Sequence, residues 1–169
     1  MATIIREAAD EDAAAIHTLL IEAFEGPDEA RLVAALDADE HMLLSLVAEN
    51  GGALIGHVGF STMDALADGK PIAAAALAPI AVAEPYRGHG IASTLIEQGL
   101  AEIEDRGIRI VFVLGDEAFY TRFGFEAELA ARFASPYSSE HWLALALGDT
   151  PRIRRGEAHH APAFSTLDG

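Results

Sequence analysis

Arg87-Gly88-His89-Gly90-Ile91-Ala92-Ser93-Thr94-Leu95 sets two glycines where an apolar strand gives way to an amphipathic helix. Upstream, Ile80, Ala81 and Val82 read as strand. Downstream, Ile91, Leu95, Ile96, Leu100 and Ile103 recur at helical spacing, leaving Glu97, Gln98, Glu102 and Glu104 for another face. Gly88 and Gly90 allow a tight turn that presents consecutive N–H groups, and the helix dipole adds partial positive charge. The natural guest of such a junction is a phosphate or pyrophosphate.

Spacing narrows the ligand. No Gly-Lys-Ser or Gly-Lys-Thr occurs, and the only lysine, Lys70, lies elsewhere, which excludes a Walker loop. The dinucleotide fingerprint Gly-x-Gly-x-x-Gly fails as well. Ser93 holds the third glycine position, and Ile108, not an acid, stands 20 residues after Gly88. Serine catalysis has no Gly-x-Ser-x-Gly elbow to support it.

Arg87, Gly90 and Ala92 do satisfy Arg-x-x-Gly-x-Ala, which resembles the acetyl-CoA pyrophosphate loop of the GNAT superfamily of N-acetyltransferases. A second stretch follows at the spacing that family shows. Ile110 to Leu114 is a short apolar strand run, and after Gly115-Asp116 come Tyr120, Arg122, Gly124 and Phe125 as Tyr-x-Arg-x-Gly-Phe. The longer pattern Leu-Gly-Asp…Tyr-x-Arg-Phe-Gly-Phe resembles a bacterial subgroup of predicted N-acetyltransferases. The likeness covers roughly residues 1 to 147 and, more loosely, the tail to Gly169.

The resemblance implies an α/β fold in which a mixed, mostly antiparallel central sheet, splayed between its fourth and fifth strands, is flanked by helices. It implies acetyl-CoA as co-substrate, no metal, and transfer of acetyl to a primary amine of a small molecule or peptide by direct attack through a tetrahedral intermediate. Cofactor contacts fall on the backbone of Ile80, Ala81 and Val82 and on the loop Arg87, Gly88, His89, Gly90, Ile91, Ala92 and Ser93, with Arg122 as a further cation. Tyr120 matches the family's proton donor to the departing thiolate; its alternative role is aromatic packing beside Phe119, Phe123 and Phe125. A backbone N–H of the splayed strand can polarise the carbonyl.

The base is left open. Some family members carry a carboxylate early in the fourth strand, but Ile72 to Ala78 contains none, and Val113 replaces an asparagine frequent seven residues before the tyrosine. Glu25, Asp28, His57 and Asp64 are the candidates, beside a water chain or no base at all. The rival reading is a non-catalytic acyl-CoA-binding regulatory or interaction module.

Composition agrees with an enzyme of this kind. At 169 residues with 51% apolar content the chain suits one domain, 1–169, with 148–169 as a C-terminal extension. Zero cysteines exclude disulfides, thiolate zinc sites and a cysteine nucleophile. Eleven basic against 27 acidic residues give a net charge of −16, which repels nucleic acid and anionic membranes. Without a leader-like start or an uninterrupted apolar span, a soluble cytoplasmic protein is expected, with a homodimer left open. His141, His159 and His160 lack ligand spacing for a metal. Arg152, Arg154 and Arg155 form a basic cluster that reads as a solvated turn, a contact to the CoA 3′-phosphate or a subunit contact.

The remaining chain alternates. Thr3 to Arg6 reads as strand, and Asp10 is placed to cap a helix carrying Ala13, Ile16, Leu19, Leu20 and Phe24. Gly26-Pro27-Asp28 breaks it before a second helix through Leu36. Leu43 to Glu49 and Ala53 to Met63 form a hairpin around Asn50-Gly51-Gly52. Ile72 to Ala83, Ile110 to Leu114 and His141 to Leu147 are the later strands, with a short helix at Tyr120 capped by Asp116. Pro79 cannot donate a ladder hydrogen bond, so the fourth strand lies at an edge or carries a bulge there.

Overall fold

Two long neighbouring strands, β3 (Ala53–Ala67) and β4 (Lys70–Val82), form the spine of the sheet in the computed structural model, which describes residues 2–168. Before them come β1 (Ile4–Glu7), α1 (Ala13–Phe24), α2 (Asp28–Ala38) and β2 (Met42–Asn50). After them come α3 (Ile91–Asp105), β5 (Ile110–Leu114), α4 (Glu117–Tyr120), α5 (Ala127–Ala131), β6 (Phe133–Ala134), β7 (Trp142–Ala146) and β8 (Gly156–His160). The main order is β1-β2-β3-β4-β5-β7, antiparallel throughout except for the parallel pair β4 and β5. This is the mixed, helix-flanked sheet that the resemblance implies.

Helices cover both faces. On one, Leu95, Ile96, Leu100 and Ile103 of α3 pack on Leu46, Val58, Phe60 and Val111. The absence of a side chain at Gly99 permits this contact, because a Cβ there would lie 2.3 Å from Phe60 Cε2. On the other face, Ile16 and Leu20 of α1 and Val33 of α2 cover Val47 and Ala81, while Leu32 and Leu36 cover Met63, Ala76 and Phe112. The alternation of strand residues between two apolar layers is why β3 and β4 read as nearly continuous apolar runs.

Two features depart from the sequence reading. A 3-10 turn at Asp10–Asp12 precedes α1, and Asp12, not Asp10, organises its start. Its carboxylate accepts from Ala9 N at 2.7 Å and from Arg6 Nη1 at 2.7 Å, which holds it well below the usual carboxylate range, at about 2. The segment after Leu147 is the second departure. Beyond Met42, where β2 begins opposite Ser61, β8 takes its place along β3, pairing Met63–Ala67 with residues 160–156, and β6 joins β8 in parallel. Asp116 caps α4 as expected, accepting from Ala118 N at 3.2 Å.

Candidate active site

Pro79 shapes the site. β4 has β3 on one side and β5 on the other, and the β3–β4 register shifts between Val58↔Ile80 and Phe60↔Leu77, a bulge at the proline. The Ala78–Pro79 peptide is cis. On the opposite edge β4 meets β5 over Ala74–Ala76 and Ile110–Phe112 alone. Beyond Ala76 the two strands part. The edge of β4 from Leu77 onward, including Ile80, Ala81 and Val82, is then left without a strand partner on that side.

The gap becomes a cleft of about 340 Å³. Leu77 to Ile80 form one wall, and Phe112, Val113 and Leu114 the other. Tyr120 enters from the α3 face, where it belongs to the same core cluster as Leu95 and Phe125. From the opposite face come Phe24 at the end of α1, Glu29 and Leu32 of α2, and Tyr137, His160 and Phe164. Tyr120 is 7% exposed, and burial pushes its phenol up to about 12, so the hydroxyl keeps its proton at neutral pH.

The glycine loop lies where β4 runs out. Gly88 and Gly90 take φ values of 81° and 78°, a left-handed backbone that L side chains adopt at a cost, and a Cβ on either would meet nothing within 4 Å. Gly90 is the N-cap of α3, so the amides of Ile91, Ala92 and Ser93 form the helix's first turn, whose N–H groups find no acceptor within the helix. Arg87 Nε donates to Val82 O at 2.8 Å, and His89 Nδ1 lies 3.0 Å from Arg87 O, folding the loop on itself. Arg122 joins the two sequence signatures. Its Nη2 donates to Ser93 Oγ at 3.2 Å while the guanidinium lies 5.3 Å from the centre of the Phe119 ring and 5.7 Å from that of Phe123. Such a cradle fits a pyrophosphate.

Four residues entertained as bases lie elsewhere. His57 is fully buried between Val47 and Ala81, its Nε2 2.7 Å from Ser45 Oγ, and burial lowers it to about 4. Asp64 sits on β3 between Ala73 and His159, exposed and outside the cleft. Glu25 ends α1 with φ 55°, and Asp28 opens α2, both exposed. Glu29, next along, is the carboxylate that reaches the cleft; one helical step separates it from the residue that sequence reasoning named. Phe24, Tyr137, His160 and Phe164 were also missed, because nothing in their local pattern shows that the chain returns to this place.

The Arg152–Arg155 cluster lies at the other end of the sheet from the glycine loop, where the backbone amides of Arg154 and Arg155 donate to the Asp68 carboxylate. Among the described residues no three His, Cys, Asp or Glu side chains gather as a metal-binding group, and no helix is long and apolar enough to cross a membrane.

Comparison with known proteins extends this geometry. The model of the acetyltransferase (GNAT) domain matches residues 4–127. The uncharacterized N-acetyltransferase YhbS of Escherichia coli K12 is 43% identical over 116 residues, 68% of each chain, and YjhQ of the same strain is 33% identical over 163 residues, 92% of this chain and 90% of its own. The crystal structure of YhbS from Escherichia coli in complex with CoA superposes with a TM-score of 0.87 at 33% identity, covering 96% of this chain and 92% of that one. A GNAT family acetyltransferase from Brucella melitensis in complex with acetyl-CoA gives 0.81 at 33% identity, covering 96% and 98%. The splayed strands with the buried tyrosine between them, the glycine loop at the end of β4 and these matches together show that the chain belongs to the GNAT family and is an acetyltransferase.

Proposed function

We propose that this enzyme transfers acetyl from acetyl-CoA to a primary amine of a small molecule or peptide, with the glycine loop and the open edge of β4 as its cofactor site. The observation that carries the reading is the course of β4: it parts from β5 beyond Ala76, its edge at Leu77 to Ile80 borders the cleft together with the Tyr120 ring, and past Val82 the chain runs on into the glycine loop and the first turn of α3. CoA and acetyl-CoA, bound by the two similar proteins, support it.

The amides of Ile91, Ala92 and Ser93 and the side chain of Arg87 hold the pyrophosphate, as a helix N-terminus does for anions generally. These groups provide a local site for a polyanion on a chain of net charge −16. Ile80, Ala81 and Val82 offer backbone groups to the pantetheine arm. Bound there, acetyl-CoA supplies a thioester that a neutral amine attacks directly, acetyl passing to nitrogen and the thiolate leaving. A β4 amide polarises the thioester carbonyl, Tyr120 gives its proton to the sulfur, and the nitrogen releases its surplus proton to water while solvent returns one to the phenolate.

Release of free thiol from acetyl-CoA in the presence of amine pools tests this reading. Amine-dependent release is expected. Tight CoA binding with no release on any amine would favour a non-catalytic acyl-CoA-binding module instead.

A further inference from the structure

We infer that the acceptor is a small primary amine carrying one aromatic or flat apolar group, its ammonium met on arrival by Glu29 and its ring held by the aromatic wall of the cleft, the nitrogen then giving its extra proton to water before it attacks as the neutral amine. The inference rests on the amine-transfer reading above and names the substrate class for it.

The gap between β4 and β5 opens on both faces of the sheet. Tyr120 and the α3 loop lie on one, so the acceptor enters from the other, where α1, α2 and the segment around β8 stand. That entrance is aromatic. His160 packs between Tyr137 and Phe164 with ring centres 4.8 Å from each, a wall braced before any ligand arrives. Phe24 at 40% and Leu114 at 43% are among the few large apolar side chains the protein leaves exposed, and both line this cleft. Apolar surface exposed at a concave site is what an apolar ligand covers.

Charge fixes the other end. Glu29 is the only carboxylate among the described residues lining the cleft, and no lysine or arginine lines it. One carboxylate matches one ammonium, and the aromatic faces beside it add cation–π attraction. A polyamine would leave its further charges buried without partners. A peptide would leave backbone N–H and C=O groups unmatched, since Tyr137 already donates its hydroxyl to Phe164 O at 3.4 Å and the open β4 edge is taken by the pantetheine arm.

The test is thiol release from acetyl-CoA with 2-phenylethylamine, tryptamine, spermidine and a lysine-containing peptide as acceptors. The arylalkylamines are expected to lead in kcat/KM by at least about ten-fold, and Glu29→Gln to raise their KM by a similar factor, with little change in CoA affinity by calorimetry. Inhibition by neutral 2-phenylethanol is expected to survive Glu29→Gln, since it needs the wall and not the charge. Preference for spermidine or the peptide, or an unchanged KM in Glu29→Gln, would overturn the inference and leave amine transfer standing. Silence on every amine with CoA still bound would overturn amine transfer itself, and the inference with it.

Discussion

The Tyr120 ring fills the space that a side chain on Gly115 would need: a methyl group on Gly115 would lie 2.3 Å from Tyr120 Cε2 and 3.0 Å from Cδ2. Phe119 and Phe125 meet the ring edge-on with centres 5.0 and 5.7 Å away, so it can give way only by disturbing that packing or by shifting into the cleft it lines. Gly115→Ala should therefore destabilise the protein by roughly 1–3 kcal/mol, the scale of core overpacking, and slow transfer by misplacing the hydroxyl. Thermal unfolding and steady-state rates of the same preparation check both effects. A variant with unaltered melting temperature and rate would show that the ring is free to move.

Tyr120→Phe separates the hydroxyl from the ring. Packing is kept, so melting temperature and CoA affinity should hold while the transfer rate falls by about 10² to 10⁴, the usual scale for losing a positioned general acid. The phenol, pushed up to about 12, stays protonated through pH 10, so the rate should show no fall from its deprotonation between neutral pH and pH 10. Rate at wild-type level in the variant would leave Tyr120 as a core aromatic.

Gly90→Val addresses the loop. No heavy atom lies within 4 Å of the added Cβ, so that atom itself meets no steric clash inside the protein. It strains a residue at φ 78°, by about 1–2 kcal/mol, and fills the space in front of the first amides of α3. CoA affinity should drop by at least about ten-fold by calorimetry with the fold retained. Undiminished affinity would remove the loop from the cofactor site.

Arg87→Ala takes away a brace and a charge together, since Nε donates to Val82 O. If the charge meets phosphate, the loss of CoA affinity should be larger at ~50 mM salt than at ~500 mM, where screening has already weakened the wild-type attraction. Equal losses at both would leave only the brace.

His57 gives the protein an acid-sensitive interior. Buried and neutral, it stays unprotonated in the folded state down to about 4, whereas the unfolded chain binds a proton below 6.5. Stability is thus complete above pH 6.5 and falls as pH drops toward 4, by up to about 3 kcal/mol. Asp12, lowered from 3.8 to about 2, loses its contribution only below that window. His57→Gln should flatten the slope between pH 6.5 and 4 in denaturant unfolding. An unchanged slope would place the acid sensitivity on other groups.

The strand-to-helix junction at Arg87–Leu95 was legible because glycine spacing and helical periodicity are local signals. Pro79 was legible for a similar reason: a residue that cannot donate inside an apolar run demands a bulge, and the register shift lies opposite it. β8 was not legible. Gly156-Glu157-Ala158-His159-His160 has a single small apolar residue, and only the free edge of β3, a partner some ninety residues earlier, makes it a strand. Glu29 was missed by one position, because the break at Gly26-Pro27-Asp28 marks where α2 begins but not which way its first turn points. The proposed cofactor contacts lie within continuous motifs, whereas the proposed acceptor side is assembled from four separate places in the chain.

That assembly also divides the protein along its chain. Because β8 completes the edge of β3 and carries His160 to the cleft beside Phe164, the wall that the proposed acceptor meets depends on residues after Leu147, whereas both sequence signatures lie within the stretch 4–127 that the family's model matches. A change confined to that tail can therefore reshape the acceptor wall and leave the glycine loop untouched.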